Sequence, residues 1–252
     1  MSFGQGWRAV SPPVGFPSWV RVNNLTAPVS SLWQHHLEWW ADQLRPVADR
    51  VRRLGYARSA PTTLLLILTS LTITAAALGT GSGHHAANHA LSYRGTDFYH
   101  GDWWKLITSG LLAQSWLQFL WTALVAVVLF APLEVRVGAG KLIAATFLPQ
   151  IISTVVVAIG APLLDHSNEL TRPDFGTSCL VVGAAAALAW VRRSRLLALV
   201  IVVSLIVDSV VSAPATAIEH CVAVATGALV MMWATPDPRP RIAAASATPV
   251  PA

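Results

Sequence analysis

A serine and a histidine in two separate apolar segments have the residue types that nucleophilic catalysis requires. Ser178 lies in the segment Asp174-Phe-Gly-Thr-Ser178-Cys, where Gly176 permits a tight turn just before the serine. His220 is the one histidine within the apolar segments of the sequence. A serine hydroxyl becomes a good nucleophile when an adjacent imidazole accepts its proton, and the N–H groups at a helix N-terminus can stabilise an oxyanion. Together the two residues predict a serine nucleophile with a histidine base.

Small residues next to both groups favour bringing them together. They are Ala223 and Gly227 after His220, and Ala185, Ala186 and Ala189 after Ser178. Small residues on one face allow two membrane helices to approach closely. Each candidate alone also has a structural interpretation, because serines and lone histidines occur in membrane helices without a catalytic role. In the membrane topology derived below, both residues lie near the outer end of a helix and therefore at the same depth in the membrane. This shared depth favours the functional interpretation.

Another apolar segment carries polar residues along one helical face. Ser115, Gln118 and Thr122 are spaced by 3 and 4 residues, and Gln114 lies beside them at the outer end. Polar groups inside a membrane are costly, so such a face either lines a functional cavity or forms hydrogen bonds between helices. The residues themselves leave both interpretations open.

The elements that must position these residues are membrane-spanning helices. The chain is 54% hydrophobic and only 12% charged, whereas an ordinary soluble domain has about 25% charged residues. A helix of about 20 apolar residues crosses a bilayer. Six segments qualify, at 62–79, 111–133, 142–163, 178–191, 196–213 and 217–234. The sequence therefore predicts an all-α membrane protein with six transmembrane helices.

The positive charges indicate how this bundle is oriented. Cytoplasmic loops of membrane proteins carry the excess of Lys and Arg. With the N-terminus inside, 14 of the 17 Lys and Arg residues fall on one side, and Arg94, Lys105 and Arg172 fall on the other. Both termini are therefore expected on the cytoplasmic side of a plasma membrane. Because the basic residues lie between apolar segments, the net charge of +5 does not indicate nucleic-acid binding.

The chain divides into three predicted regions. Residues 1–60 form a cytoplasmic N-terminal region, in which 31–54 has the apolar spacing of an amphipathic helix. That helix either lies on the membrane surface or packs on the cytoplasmic mouth of the bundle. Residues 61–234 form the membrane domain. Residues 235–252 are rich in Pro, Ala and Ser and are expected to be a disordered cytoplasmic tail.

No metal and no cofactor are expected. His84, His85, His89 and His100 lie in the first outer loop, and His85 with His89 has the spacing of a helical metal pair. No cysteine or third fixed ligand accompanies them, and nearby glycines favour a loose loop. Solvated loop histidines are therefore the preferred interpretation.

Four short motifs along residues 102–233 resemble those of the rhomboid family of intramembrane serine proteases. They are Trp104-Lys-Leu-Ile-Thr108, similar to the family's Trp-Arg-x-x-Thr; Glu134-Val-Arg136, similar to Glu-x-Arg; Gly176-Thr-Ser178, which matches Gly-x-Ser; and His220 with Gly227, which keeps most of His-x-x-Gly-x-x-x-Gly. Their order and spacing are specific, although each is weak alone. Glu134, Arg136 and Gly227 are expected to act structurally. The chain is most similar to divergent actinobacterial rhomboid-like membrane proteins.

The resemblance implies a six-helix bundle in which Ser178 is the nucleophile and His220 its base, in a cavity open to the outer face. The oxyanion would bind the Ser178 amide and a side chain of the second span, where Gln118 and Thr122 replace the family's His and Asn. Glutamine can still donate a hydrogen bond. Loss of one oxyanion donor typically costs about 2.7–4 kcal/mol of barrier.

The sequence departs from the family at further positions. Val182 replaces the tyrosine that packs on the histidine, Cys179 replaces the glycine after the serine, and Ala113 replaces another histidine. Asp208 and Glu219 lie near the outer ends of their helices. Either could orient His220, but the resemblance implies a dyad and their depth favours interface positions, so no triad is expected.

Two functions are open at this point. The leading hypothesis is an intramembrane serine protease that cleaves transmembrane segments of other proteins in the lipid bilayer, near the outer ends of those segments. The alternative is a catalytically inactive pseudoprotease of the same family that binds transmembrane clients. A transporter is disfavoured, because the sequence shows neither inverted repeats nor broken helices around a midplane site.

Overall fold

The structure is a computed structural model that describes residues 29–79, 89–163, 170–171 and 177–235. Gly176, His84, His85 and the predicted tail after Thr235 lie outside the described residues. The chain divides into two compact units, residues 1–42 and residues 43–252. The described part of the first unit is helical, and the second unit contains all the candidate site residues.

The described helices are numbered here in chain order. They are α1 (Val29–Leu54), α2 (Tyr56–Ser59), α3 (Pro61–Leu78), α4 (Gly95–His100), α5 (Lys105–Leu111), α6 (Trp116–Val125), α7 (Ala131–Val137), α8 (Ala139–Leu163), α9 (Thr177–Arg192), α10 (Arg195–Val211) and α11 (Pro214–Ala234). A π-helical turn, Ala126–Phe130, joins α6 to α7.

Four of the described helices are long and apolar enough to cross a membrane. They are Pro61–Leu78, Trp116–Val137, Ala139–Leu163 and Pro214–Ala234. α9 and α10 coincide with the predicted fourth and fifth spans but have only 16 and 17 residues. Apolar side chains on α10, such as Val203, Val210 and Val211, are at least half exposed, which suits a surface that meets lipid. The protein is an all-helical, multi-pass membrane protein, and the count of six spans stays a prediction.

The second span begins later than the predicted range of 111–133. α5 ends at Leu111, and α6 starts only at Trp116. Ser115 is extended, and its hydroxyl accepts a hydrogen bond from the backbone N–H of Gln118 at 3.2 Å. A serine in this position caps a new helix, so the apolar run does not continue as one helix through it.

Glu134 links the second span to the start of α3. Its carboxylate accepts hydrogen bonds from the backbone N–H groups of Thr62 and Thr63, each at 2.8 Å, and from the Thr63 hydroxyl at 2.7 Å. The first N–H groups of a helix lack partners within it, and the helix dipole favours a negative charge there. Arg136 donates to the carbonyl of Pro132, one turn earlier, at 3.3 Å. The carboxylate therefore holds the first two spans together at this end.

α9 and α11 come into backbone contact where two glycines meet. A Cβ on Gly227 would lie 2.2 Å from the carbonyl oxygen of Gly183. A Cβ on Gly183 would in turn lie 2.6 Å from the side chain of Pro149 on α8. Glycine permits this approach between membrane helices, and a larger residue does not. The crossing sets α9 against α11, so that the first turn of α9 lies beside the second turn of α11.

A buried ion-pair cluster precedes the second span. The Nζ of Lys105 lies 3.0 Å from a carboxylate oxygen of Asp97 and 3.0 Å from one of Asp102. The second oxygen of Asp97 accepts the backbone N–H of Arg94 at 2.7 Å. Burial lowers the pKa of Lys105, but the hydrogen bonds and charges of the two carboxylates outweigh burial, so that its pKa is raised above the ordinary value. The cluster thereby fixes the chain that leads into α5.

Candidate active site

The first turn of α9, the second turn of α11 and the last turn of α10 meet at one place in the bundle. Ser178 lies in the first turn of α9, and His220 lies near the start of α11. Asp208 lies in the last turn of α10. Only Ser212 and Ala213 separate α10 from α11, so these two helices form an antiparallel hairpin. Residues at similar distances from such a connection face each other.

Ser178 and His220 are in direct contact. The Oγ of Ser178 lies 2.8 Å from the Nε2 of His220, which is a hydrogen-bond distance. Ser178 is exposed, whereas the side chain of His220 is only 14% exposed. A hydroxyl in contact with an imidazole nitrogen is arranged to pass its proton to that nitrogen when the oxygen attacks an electrophile. The two residues that the sequence paired are therefore adjacent in the fold.

The second ring nitrogen of His220 also has a partner. Its Nδ1 lies 2.7 Å from the Oδ2 of Asp208, whose side chain is 18% exposed. The other carboxylate oxygen, Oδ1, accepts a hydrogen bond from the hydroxyl of Ser212. The sequence allowed that Asp208 could orient His220, but the expectation that no carboxylate joins the serine and the histidine is wrong for Asp208. The signal that could have revealed the contact is the short segment between α10 and α11, which makes the two helices face each other.

Gln118 reaches α9 from the second span. Its Oε1 accepts the backbone N–H of Gln114 at 2.7 Å, which directs the NH₂ group the other way. The Nε2 of Gln118 lies 3.4 Å from the hydroxyl of Thr177, the residue before Ser178. Gln118 is therefore a hydrogen-bond donor next to the first turn of α9, where an oxyanion formed at Ser178 would need one.

Of the other two predicted cavity residues, Thr122 lies within the described part of the chain. Thr122 lines a small cavity of about 30 Å³, together with Ser70 of α3, Gly110 of α5 and Thr146 of α8. Gly176 lies outside the described residues. Leu180 in the first turn of α9 also lines this cavity. The oxyanion role that the resemblance implied for Thr122 stays a prediction, whereas Gln118 donates a hydrogen bond to Thr177 of α9.

Two further observations on the described residues concern a cavity away from Ser178 and His220 and a search for metal ligands. A cavity of about 940 Å³ lies at the opposite ends of α9, α10 and α11, with Trp190, Arg195 and Met232 in its lining. Within the ranges that the structure describes, no group of three or more His, Cys, Asp and Glu side chains is arranged to hold a metal ion.

The fold and the site define a class of protein: a multi-pass helical membrane protein with a serine, a histidine and a carboxylate in consecutive hydrogen-bond contact. The sequence profile of the family described as Rhomboid domain matches residues 100–235, which is more than half of the chain. The chain belongs to the rhomboid family, which confirms the family that the motifs predicted, and the likeness to actinobacterial members stays a prediction. A search of curated proteins and a search of solved structures each found no match.

Proposed function

We propose that this protein is an intramembrane serine protease in which Ser178 is the nucleophile and His220 is the general base. The observation that carries the proposal is the 2.8 Å contact between Ser178 Oγ and His220 Nε2. Membership of the rhomboid family supports a protease-like role for a serine and a histidine in this arrangement. The exposure of Ser178 also supports it, because a nucleophile has to be reached by its substrate.

The reaction begins when Ser178 Oγ attacks the carbonyl carbon of the scissile peptide bond and His220 Nε2 accepts the hydroxyl proton. The carbonyl oxygen takes the negative charge, with the backbone N–H of Ser178 and the Nε2 of Gln118 as its donors. His220 then gives its proton to the departing amine, the C–N bond breaks, and the acyl group stays on Ser178. Water, deprotonated by His220, attacks this ester, releases the carboxylic acid and restores the serine hydroxyl.

The proposed substrates are transmembrane segments of other membrane proteins. Ser178 and His220 lie near the starts of two parallel helices and not at their centres, which favours cleavage near one end of a spanning segment. We infer six spans and two cytoplasmic termini, because 14 of the 17 Lys and Arg residues fall on one side in that arrangement. The proposed location is the plasma membrane. In this topology the serine and the histidine face the outer side.

A catalytically inactive rhomboid-like protein that binds transmembrane clients is the second candidate. The observation that favours it lies in the second span, where Gln118 and Thr122 stand in place of the family's His and Asn. Gln118 donates a hydrogen bond to Thr177 of α9, whereas Thr122 lines a small cavity formed mainly by apolar residues, Leu180 of α9 among them. One side-chain donor in place of two would slow an enzyme by about 100 to 1000-fold, and clients would still bind.

An experiment that identifies new protein N-termini separates the two candidates. It compares membranes that carry the wild type, Ser178→Ala or Ser209→Ala. Ser209 is a matched control, because it is exposed on α10 and its hydroxyl donates to its own helix at Ile206. A protease generates new N-termini within or next to transmembrane segments with the wild type and Ser209→Ala, and loses them with Ser178→Ala. Clients that co-purify equally with wild type and Ser178→Ala, without new N-termini, would favour the inactive form.

A further inference from the structure

Asp208 belongs to the same hydrogen-bonded chain as the serine and the histidine. Its Oδ2 lies 2.7 Å from the Nδ1 of His220, and the opposite ring nitrogen lies 2.8 Å from Ser178. The side chains of Asp208 and His220 are 18% and 14% exposed, so both are largely withdrawn from solvent. The contacts connect the carboxylate of Asp208 to the imidazole of His220, and that imidazole to the hydroxyl of Ser178.

The carboxylate determines which nitrogen of the neutral imidazole carries the proton. A carboxylate only accepts, so the Nδ1 facing Asp208 has to be the N–H. The Nε2 facing Ser178 then has its lone pair free, which is the form that accepts the serine proton. After that transfer the ring is positively charged, and the carboxylate stabilises the charge.

Asp208 is itself held in place. The hydroxyl of Ser212 donates to its Oδ1, and the backbone N–H of Ser212 donates to its carbonyl at 2.8 Å, which ends α10. Each carboxylate oxygen therefore has a donor, one from His220 and one from Ser212. An acidic side chain near a membrane helix end is costly unless it is paired in this way. Its two partners are the histidine and the cap of its own helix.

We propose that Asp208 is a positioning residue for His220, and that Ser212 holds Asp208 in the orientation that this requires. The inference rests on the proposed function, and it adds a third member to the serine and histidine that the family resemblance implied. Asp208 touches neither the substrate nor the attacking oxygen. It acts by selecting the ring tautomer and by stabilising the imidazolium that forms during the reaction.

The test uses a fluorophosphonate, which reacts covalently with activated serines. The inactivation rate constant kinact and the binding constant KI are measured for the purified wild type and four variants. Asp208→Asn should lower kinact by about 10² to 10⁴-fold with KI unchanged, because an amide NH₂ facing Nδ1 favours the wrong tautomer. Asp208→Glu should recover part of that loss. Ser212→Ala should lower kinact by about tenfold, and Ser209→Ala should match the wild type. Thermal unfolding of each variant separates a loss of fold from a loss of positioning.

Nitrogen-15 NMR of the histidine ring gives a second measurement that does not depend on activity. The His220 signal, assigned by its loss in His220→Asn, should show a proton on Nδ1 of the neutral ring in the wild type and a proton on Nε2 in Asp208→Asn. A proton on Nε2 in the wild type would overturn the inference. So would wild-type kinact in a folded Asp208→Asn protein, although Ser178-dependent labelling would then leave the protease proposal standing. If the wild type is not labelled, the proposed function fails, and the tautomer alone decides whether Asp208 orients His220.

Discussion

Gly183 and Gly227 are so close that a Cβ on Gly227 would lie 2.2 Å from the Gly183 carbonyl oxygen. Gly183 follows Ser178 on α9 by about one and a half turns, and Gly227 follows His220 on α11 by about two turns. The crossing therefore lies just beyond the candidate site on both helices. We infer that it sets the spacing between the two helix starts, and with it the contact of serine and histidine.

Gly227→Ala should therefore damage both the fold and the site. The added methyl group would force α9 and α11 apart, and overpacking of this kind typically costs about 1–3 kcal/mol of folding stability. The thermal unfolding temperature should fall, and the rate of fluorophosphonate labelling of the remaining folded protein should fall with it. Gly160→Ala is the matched control, because a Cβ on Gly160 of α8 meets nothing within 4 Å. Equal stability and equal labelling of the two variants would show that the glycine contact is not needed.

Gln118→Ala should slow the reaction at Ser178 without unfolding the protein. It removes the side-chain donor next to Thr177, and loss of one oxyanion donor typically costs about 100 to 1000-fold in rate. The measurement is the fluorophosphonate labelling rate beside a thermal unfolding curve. Gln114→Ala is the control, since Gln114 contacts Gln118 through its backbone N–H and would keep that contact. An unchanged rate in Gln118→Ala would exclude Gln118 as an oxyanion donor.

The helices and the pair Ser178 and His220 could be predicted from the sequence for simple reasons. Apolar runs of this length between basic loops have few folded alternatives to helices in a membrane. Ser178 and His220 were identified because each is a reactive type in an apolar segment beside small residues. The stripe after His220 indicated a close helix contact at Gly227. The partner glycine, Gly183, was not identified, because the relative rotation of two helices is not encoded in either one alone.

The contacts that the sequence did not reveal depend on geometry between elements. Asp208 contacts His220 because only two residues connect their helices. From the sequence, Asp208 and Glu219 were both able to orient His220, and depth and the family's dyad favoured an interface position for each. The apolar run at 111–133 continues across Ser115, so its pattern does not show that Ser115 caps a new helix. Glu134 was assigned a structural role from the resemblance, but its partners Thr62 and Thr63 lie more than 70 positions away.

Glu134→Ala should destabilise the first two spans against each other. The backbone N–H groups of Thr62 and Thr63 would lose their acceptor. A buried unpaired donor costs about 1–3 kcal/mol, so Thr63, which is buried, should account for most of the loss, and Thr62, which is partly buried, for less. Glu134→Gln keeps an acceptor oxygen and should lose less. Thermal unfolding in detergent measures both variants. A Glu134→Ala protein as stable as the wild type would mean that water or other groups replace the carboxylate at the start of α3.

Lys105→Met should be far more destabilising than Asp102→Asn. The methionine would leave the carboxylate of Asp97, whose side chain is 9% exposed, without its cation, and removing one partner of a buried pair typically costs 3–5 kcal/mol. Asp102 is 44% exposed, so the loss of its charge should cost about 1 kcal/mol or less. Comparable losses of unfolding temperature in the two variants would contradict the buried pair with Asp97.

The pH dependence of this cluster follows from the raised pKa of Lys105. A lysine whose pKa is higher in the folded state contributes its full stability below the ordinary lysine value of about 10.4, and the contribution is lost as the pH rises through the folded pKa. The difference in stability between wild type and Lys105→Met should therefore be constant from about pH 6 to 9. Unfolding temperatures across this range test it, and a difference that disappears by pH 9 would contradict the assignment.

The central claim is that His220 activates Ser178 as a nucleophile. Its most direct test is peptide mass spectrometry of the purified protein after reaction with a fluorophosphonate. We predict the mass of the phosphonyl group on the peptide that contains Ser178 in the wild type, and its absence from Ser178→Ala and His220→Asn proteins that remain folded. An unmodified Ser178 in folded wild type, or equal modification of Ser178 in His220→Asn, would contradict the claim.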